Sequence, residues 1–219
     1  MKKDFVHLHL HSQYSLLDGA IKFDELFDEV KKQGMTSVAL TDHGNLFGAY
    51  EFYKNGKKKG IKPILGCEVY IAKDHKNKNP ENNKTHHLTV LCMNMEGYEN
   101  LCSLVSKGHL EGFYRKPRID RKMLFEKSSG LIVLSGCLNS EVCFNILKGK
   151  KDEAIKIASE YKNVLGDRYF IEIQGTLLRE QIRVNGTLRE IAKKLEIPVV
   201  ATNDCHYLTK DCFKSHDTL

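Results

Sequence analysis

No stretch of this 219-residue sequence approaches the run of roughly 20 apolar residues that a membrane-spanning helix needs. The opening Met1-Lys2-Lys3-Asp4 leads directly into a histidine-rich segment without the apolar core of a signal peptide. Seven cysteines, an odd number with no C-x-x-C pair, match neither a secreted disulfide scaffold nor a zinc ribbon. These absences predict a cytoplasmic protein without a membrane partner. No internal repeat and no low-complexity linker divides the chain, so one domain over residues 1–219 is expected.

What is present is an alternation of short apolar runs and amphipathic patterns. Strand-like runs occur near Phe5–Leu10, Ser37–Thr41, Pro63–Ile71, His87–Met93, Leu131–Ser135, Tyr169–Gln174 and Pro198–Thr202. Between most of them, apolar residues recur three and four apart, as in Phe23, Leu26, Phe27 and Val30, or Leu188, Ile191, Ala192 and Leu195. Such alternation predicts parallel β-α units in an α/β barrel or near-barrel, with an open doubly wound sheet as the alternative. Two polar segments, Lys73–Lys84 and Gly112–Lys122, read as exposed loops. The chain stops at Asp217-Thr218-Leu219 in what reads as the start of a helix without a stop signal, so a fragment of a longer protein is expected.

Chemistry-bearing residues gather at the ends of these runs. Strand alternation places His7, His9 and His11 on one face of the first run. Three imidazoles in register are costly to bury without a cation or hydrogen-bond partners. The second run ends in Thr41-Asp42-His43-Gly44-Asn45, where barrel enzymes keep functional groups, although Asp42 or Asn45 could instead cap a helix beginning near Phe47. Glu68 interrupts an apolar run and needs a cation if buried; an edge strand with Glu68 in water is the bland alternative. Asp204 and His206 share a face just past the last run, with Cys205 opposite. Cys137 follows the fifth run, and either His86 or His87 could reach the same place from the fourth. Mixed imidazole and carboxylate groups from five segments suit zinc, manganese or iron, in numbers beyond one tetrahedral ion. Clustered ions are a common solution for phosphoester hydrolysis.

The segments His9-Leu10-His11-Ser12, Asp18-Gly19, Thr41 to Asn45, Gly66-Cys67-Glu68, His87-Leu88-Thr89, Ser135-Gly136-Cys137-Leu138 and Asn203 to Tyr207 resemble the PHP family. Asn45 to Ala49 and Gly112 to Asp120 are most similar to the amino-terminal PHP domains of bacterial DNA polymerase III alpha subunits. The resemblance implies a distorted seven-stranded (β/α) barrel, TIM-barrel-like, with up to three zinc ions; manganese or iron are alternatives, and magnesium serves the parent polymerase. It implies nine ligands. His9, His11, Glu68 and Asp204 would hold one ion and form the catalytic set, Glu68, His87 and Cys137 a second, and Asp18, His43 and His206 a third. His7, outside the nine, is expected to support them from behind. The implied activity is a 3'-5' proofreading exonuclease within a DNA-directed DNA polymerase, a nucleotidyltransferase. Implied partners are DNA, the remaining polymerase domains, and a sliding clamp or separate proofreading subunit. Arg115, Lys116 and Arg118 are expected to touch DNA phosphates, with a solvated loop or a domain contact as the alternative. A histidinol-phosphatase-like phosphomonoesterase and a structural metal domain without catalysis are the competing readings.

Overall fold

A computed structural model describes residues 5–80 and 84–219. The opening Met1–Asp4 segment and residues 81–83 of the first polar loop lie outside the described residues. Seven strands form one sheet: β1 (Ser37–Leu40), β2 (Lys62–Ala72), β3 (Thr85–Cys92), β4 (Arg118–Asp120), β5 (Leu131–Leu134), β6 (Tyr169–Gln174) and β7 (Val199–Thr202). The order is β1-β2-β3-β5-β6-β7, with β4 paired to the far end of β2.

The strand set differs from expectation in two places. The first run, Phe5–Leu10, is extended but not a regular strand: it makes only isolated bridges, such as Leu10 to Cys205. The Thr41 hydroxyl takes the amide of Leu10 and interrupts the ladder. The segment nonetheless joins the two sheet edges, because the Ala39 amide donates to His7 O and the His11 amide to Cys205 O. The expected parallel barrel therefore closes through a short irregular seam. The second difference is β4, which lies in the segment expected to be an exposed loop. Direction also departs from pure β-α repetition, since β3 runs antiparallel to both β2 and β5. Among its described residues the β2–β3 connection carries no α-helix of the kind that usually returns a chain parallel.

Helices cover the outside: α1 (Phe23–Lys32), α2 (Ala49–Lys59), α3 (Met95–Leu110), α4 (Arg121–Glu126), α5 (Glu141–Leu147), α6 (Lys151–Leu165), α7 (Arg179–Lys194) and the short α8 (Phe213–His216). Each long helix buries its periodic apolar stripe, as with Phe23, Leu26, Phe27 and Val30 of α1. Side chains of Asn94, Asp120 and Ser140 cap α3, α4 and α5 by accepting from backbone amides.

The strands carry a graded inner face. Along β6, Phe170, Glu172 and Gln174 succeed one another on one side; along β7 and beyond it, Val200, Thr202 and Asp204 do the same. Antiparallel β3 presents the same gradient reversed, as His87, Thr89 and Leu91. Contacts across the barrel join the matching layers. Phe170 and Val200 pack with Leu8, Ile64 and Leu91. Thr89 and Thr202 hydroxyls both donate to Glu172, and Gln174 donates to Asp204. One end of the barrel is thus apolar, the middle hydroxylated and the other end charged.

Candidate metal centre

The charged end is built from loops after β1, β5 and β7, the middle of β2, the start of β3 and the irregular first segment. Because β3 runs antiparallel, its start lies beside the ends of its neighbours, and this brings His87 to the cluster while His86 turns out toward Phe144. Glu68 is central and 1% exposed, so the edge-strand alternative does not apply.

The atoms gather closely. His9 Nε2 lies 3.4 Å from Glu68 Oε1 and 3.2 Å from Asp204 Oδ1. His11 Nε2 lies 3.5 Å from Glu68 Oε2 and 3.3 Å from the same Asp204 oxygen. On the far side of Glu68, His87 Nδ1 is 3.1 Å and Cys137 Sγ 3.5 Å from Oε1, while His43 Nδ1 is 2.8 Å from Oε2. Nearer the mouth, Asp18 Oδ2 is 2.9 Å from His43 Nε2 and 3.4 Å from His206 Nε2. All nine residues of the expected ligand set therefore meet in one place.

These donors fit a metal. Ligand nitrogens and oxygens about 2.0–2.1 Å from a tetrahedral ion sit roughly 3.3–3.4 Å from each other, which is the spacing found here among His9, His11, Glu68 and Asp204. His9 Nε2, His11 Nε2, His43 Nδ1 and Asp204 Oδ1 are buried yet lack any hydrogen-bond partner. Such orphaned atoms are expensive and call for a partner. Among the described residues no Lys or Arg side chain pairs with Glu68, Asp204 or Glu172, so the buried carboxylates have no protein cation beyond imidazolium. Burial opposes charging of His9, yet the carboxylates of Glu172, Asp204 and Glu68 outweigh it and hold its pKa well above the ordinary value. Burial would likewise raise Glu68, but the charge of His9 and the adjoining imidazoles of His43 and His87 hold it well below the usual carboxylate range. Burial and the nearby Glu68 push the Cys137 thiol far up, a cost that a bound cation would reverse.

Support behind the cluster comes from residues that the motifs did not reveal. Glu172, on β6, accepts from Thr202 at 2.5 Å and from the Gly136 amide at 3.2 Å, and lies 2.7 Å from His9 Nδ1. That contact fixes the His9 ring with Nε2 facing the cluster, a carboxylate–imidazole arrangement usual behind metal ligands. Ser15 Oγ does the same for His11 Nδ1 at 2.9 Å. Asp42 is no helix cap; it accepts from the Ser12 amide and hydroxyl and from the Ser15 hydroxyl, while Asn45 Oδ1 accepts from the Phe47 amide. Only the alternation of β6, read in register with β7, could have flagged Glu172 from sequence. Asp204 adopts φ +52°, a left-handed conformation that turns its carboxylate inward.

Two expectations need correction. His7 does not back the cluster: a bend at His9 breaks the alternation, and His7 lies 3.4 Å from Cys205 Sγ on the α1 side of the seam. Arg118 is no phosphate contact. It is fully buried, donating from Nε to Gly112 O and from Nη2 to His75 O and Asn77 O. Its guanidinium ties the two polar loops together. Arg115 and Lys116 remain exposed, with Lys116 Nζ 4.4 Å above the Tyr70 ring.

Comparison with known proteins agrees with this architecture. Residues 7–176 match the family described as PHP domain. The DNA polymerase III subunit alpha of Thermus aquaticus is 47% identical over 224 residues, covering 100% of this chain and 18% of the relative. That of Aquifex aeolicus is 43% identical over 227 residues, covering 100% of this chain and 20% of the relative. The chain thus spans about a fifth of the length of these curated relatives. In fold, it is similar to a Bifidobacterium adolescentis crystal structure assigned as a metal-dependent phosphoesterase, at TM-score 0.59, 15% identity, and coverage of 94% and 89% of the two chains. An amidohydrolase from Chromobacterium violaceum superposes at TM-score 0.56 with 13% identity, covering 97% and 96%.

Proposed function

We propose that this chain, which belongs to the PHP domain family, is a multi-metal phosphodiesterase domain of a bacterial replicative DNA polymerase alpha subunit and trims 3' termini of DNA. The single observation that carries the reading is the set of orphaned, buried donor atoms at tetrahedral spacing around Glu68. His9, His11, Glu68 and Asp204 would hold one ion, Glu68, His87 and Cys137 a second, and Asp18, His43 and His206 a third, zinc being the first candidate and manganese or iron the others.

Bound ions in such a site supply a water made acidic enough to attack, and positive charge on the phosphate oxygens. The chain's own residues do the rest. Glu172 and Ser15 lock the ring orientations of His9 and His11, so both Nε2 lone pairs point inward without reorganisation. Each Glu68 oxygen touches residues of two subsites, Oε1 meeting His9 and His87 and Oε2 meeting His11 and His43, so the carboxylate would join them. Asp18, half exposed at the mouth, and the neighbouring His206 would hold the ion nearest the solvent, where the departing nucleotide leaves. Exposed Lys116 stands beside the entrance to attract the backbone. The polarity of attack rests on the family resemblance, and so do the remaining polymerase domains, the magnesium they would use, and a clamp or proofreading partner. The whole of residues 1–219 would form one domain within that longer chain.

The test is metal content together with cleavage of a single-stranded oligonucleotide that is read from its 3' end, in zinc and in manganese. His9→Ala and Asp204→Ala are expected to lower hydrolysis by about two to three orders of magnitude, the scale of losing pre-organised charge stabilisation. Chelation should abolish it and lower Tm. Bound metal and a chelator-sensitive Tm without cleavage in the wild type would assign the ions a structural role instead.

A further inference from the structure

Beside the metal centre the surface carries a row of aromatic rings. Phe47, in the loop after β1, is 65% exposed, and Phe113, just past α3, is 49% exposed. His109, in the last turn of α3, lies between them. Its ring centroid is 6.4 Å from that of Phe47 and 6.2 Å from that of Phe113, the latter pair stacked at 23°. A shallow apolar pocket of about 410 Å³ lies along the row, lined in part by Leu46, Val105 and Leu110.

The row is fastened to the centre itself. His109 Nε2 is 2.9 Å from the carbonyl of Gly44, the residue after the candidate ligand His43. Gly44 has φ +61°, and a Cβ there would meet Pro117 at 2.7 Å and Tyr70 at 3.0 Å, so only glycine lets these pieces close up. Tyr70 stacks on His43 at 5.8 Å and carries Lys116 on its ring. Arg115 is exposed next to Lys116. The nearby acid, Glu111, is turned toward His75 and Lys76 at 3.9 and 3.8 Å. Exposed aromatic faces beside cations that have no carboxylate partner among the described residues offer what a nucleic acid strand requires: a π-face for each base and a charge for each phosphate. A purely apolar protein partner would leave Arg115 and Lys116 buried without counter-charge.

We propose that Phe47, His109 and Phe113 form a stacking platform for unpaired nucleobases. Arg115 and Lys116 hold the adjoining phosphates, so that a single-stranded terminus is led over Gly44 into the metal cluster. The inference rests on the phosphodiesterase reading and narrows its substrate to unpaired ends, since a base inside a duplex has no free face to offer.

The experiment uses this chain loaded with manganese and an oligonucleotide bearing 2-aminopurine near its 3' end, with a phosphorothioate terminal linkage to suppress cleavage. Stacking quenches the 2-aminopurine emission, and anisotropy reports affinity. Wild type should quench the probe and prefer single strand to blunt duplex. Phe47→Ala and Phe113→Ala should each weaken binding about 5- to 150-fold and relieve the quench, whereas Phe113→Tyr should retain both. Lys116→Ala should weaken binding without relieving the quench. Unchanged quench and affinity in the Phe47→Ala/Phe113→Ala double variant, at wild-type Tm, would overturn the platform, as would equal binding of blunt duplex. The two readings separate on the cleavable oligonucleotide. Wild type that quenches but cuts nothing refutes hydrolysis and leaves the platform standing. Cleavage with KM unaltered in the double variant refutes the platform alone.

Discussion

The two ends of the barrel use the same strands for opposite purposes. At one end Leu8, Ile64, Leu91, Ile132, Phe170 and Val200 line an apolar cavity of about 850 Å³. At the other, four residues away along the same faces, stand Glu68, His87, Gln174 and Asp204. Between them Thr89, Thr202 and Glu172 form a hydrogen-bonded layer with no orphaned atom. The side chains named at the apolar end carry no polar atom that needs a partner. The charged end is left short of partners by the protein itself, and that deficit, rather than the mere presence of polar residues, marks it as a site.

Mutations can sharpen this contrast. The largest effect is expected at the apolar end: Leu134→Ala, at a fully buried position on β5, should cost about 2–5 kcal/mol in denaturant unfolding. Metal stoichiometry at saturation should not change, and a lost ion would show that the two ends are not energetically separable. Next is the middle layer. Glu172→Gln preserves shape and can still accept from Thr202, but it removes the charge behind His9, so affinity for the metal should fall about 10- to 100-fold in a competition titration. A wild-type affinity would mean that Glu172 only fills space. The smallest effect separates two cations close in sequence. Lys116→Ala should reduce the salt slope of oligonucleotide binding by about 1. Arg118→Met should leave that slope alone and register only as lost stability. An equal slope change in both would restore Arg118 to the DNA-facing surface.

Much of the candidate site was legible because its residues lie in short local motifs. His9-Leu10-His11, Thr41 to Asn45 and Asn203 to Tyr207 each put their polar groups at the end of an apolar run, where any barrel would bring them together. Glu172 was not legible. A glutamate alternating with apolar residues on β6 looks like an exposed face until the layer it joins is known. Arg118 misled for a related reason: a basic residue in a basic segment reads as solvated, and only the return of two loops over it supplies the carbonyls that bury it. The choice between His86 and His87 depended on the antiparallel direction of β3, which no local pattern announces.

The sequence by itself determined the α/β alternation, the apolar stripes of the helices and the residue types of the charged cluster, because these follow from local periodicity and from the cost of burying imidazole and carboxylate. Only the tertiary structure decided that the first segment closes the barrel as an irregular seam, with His7 turned away. The same is true of the pairing of Glu172 with His9 across 163 residues of chain. Such choices are made between segments distant in sequence, where register and close packing select one partner among many and no local pattern records the outcome.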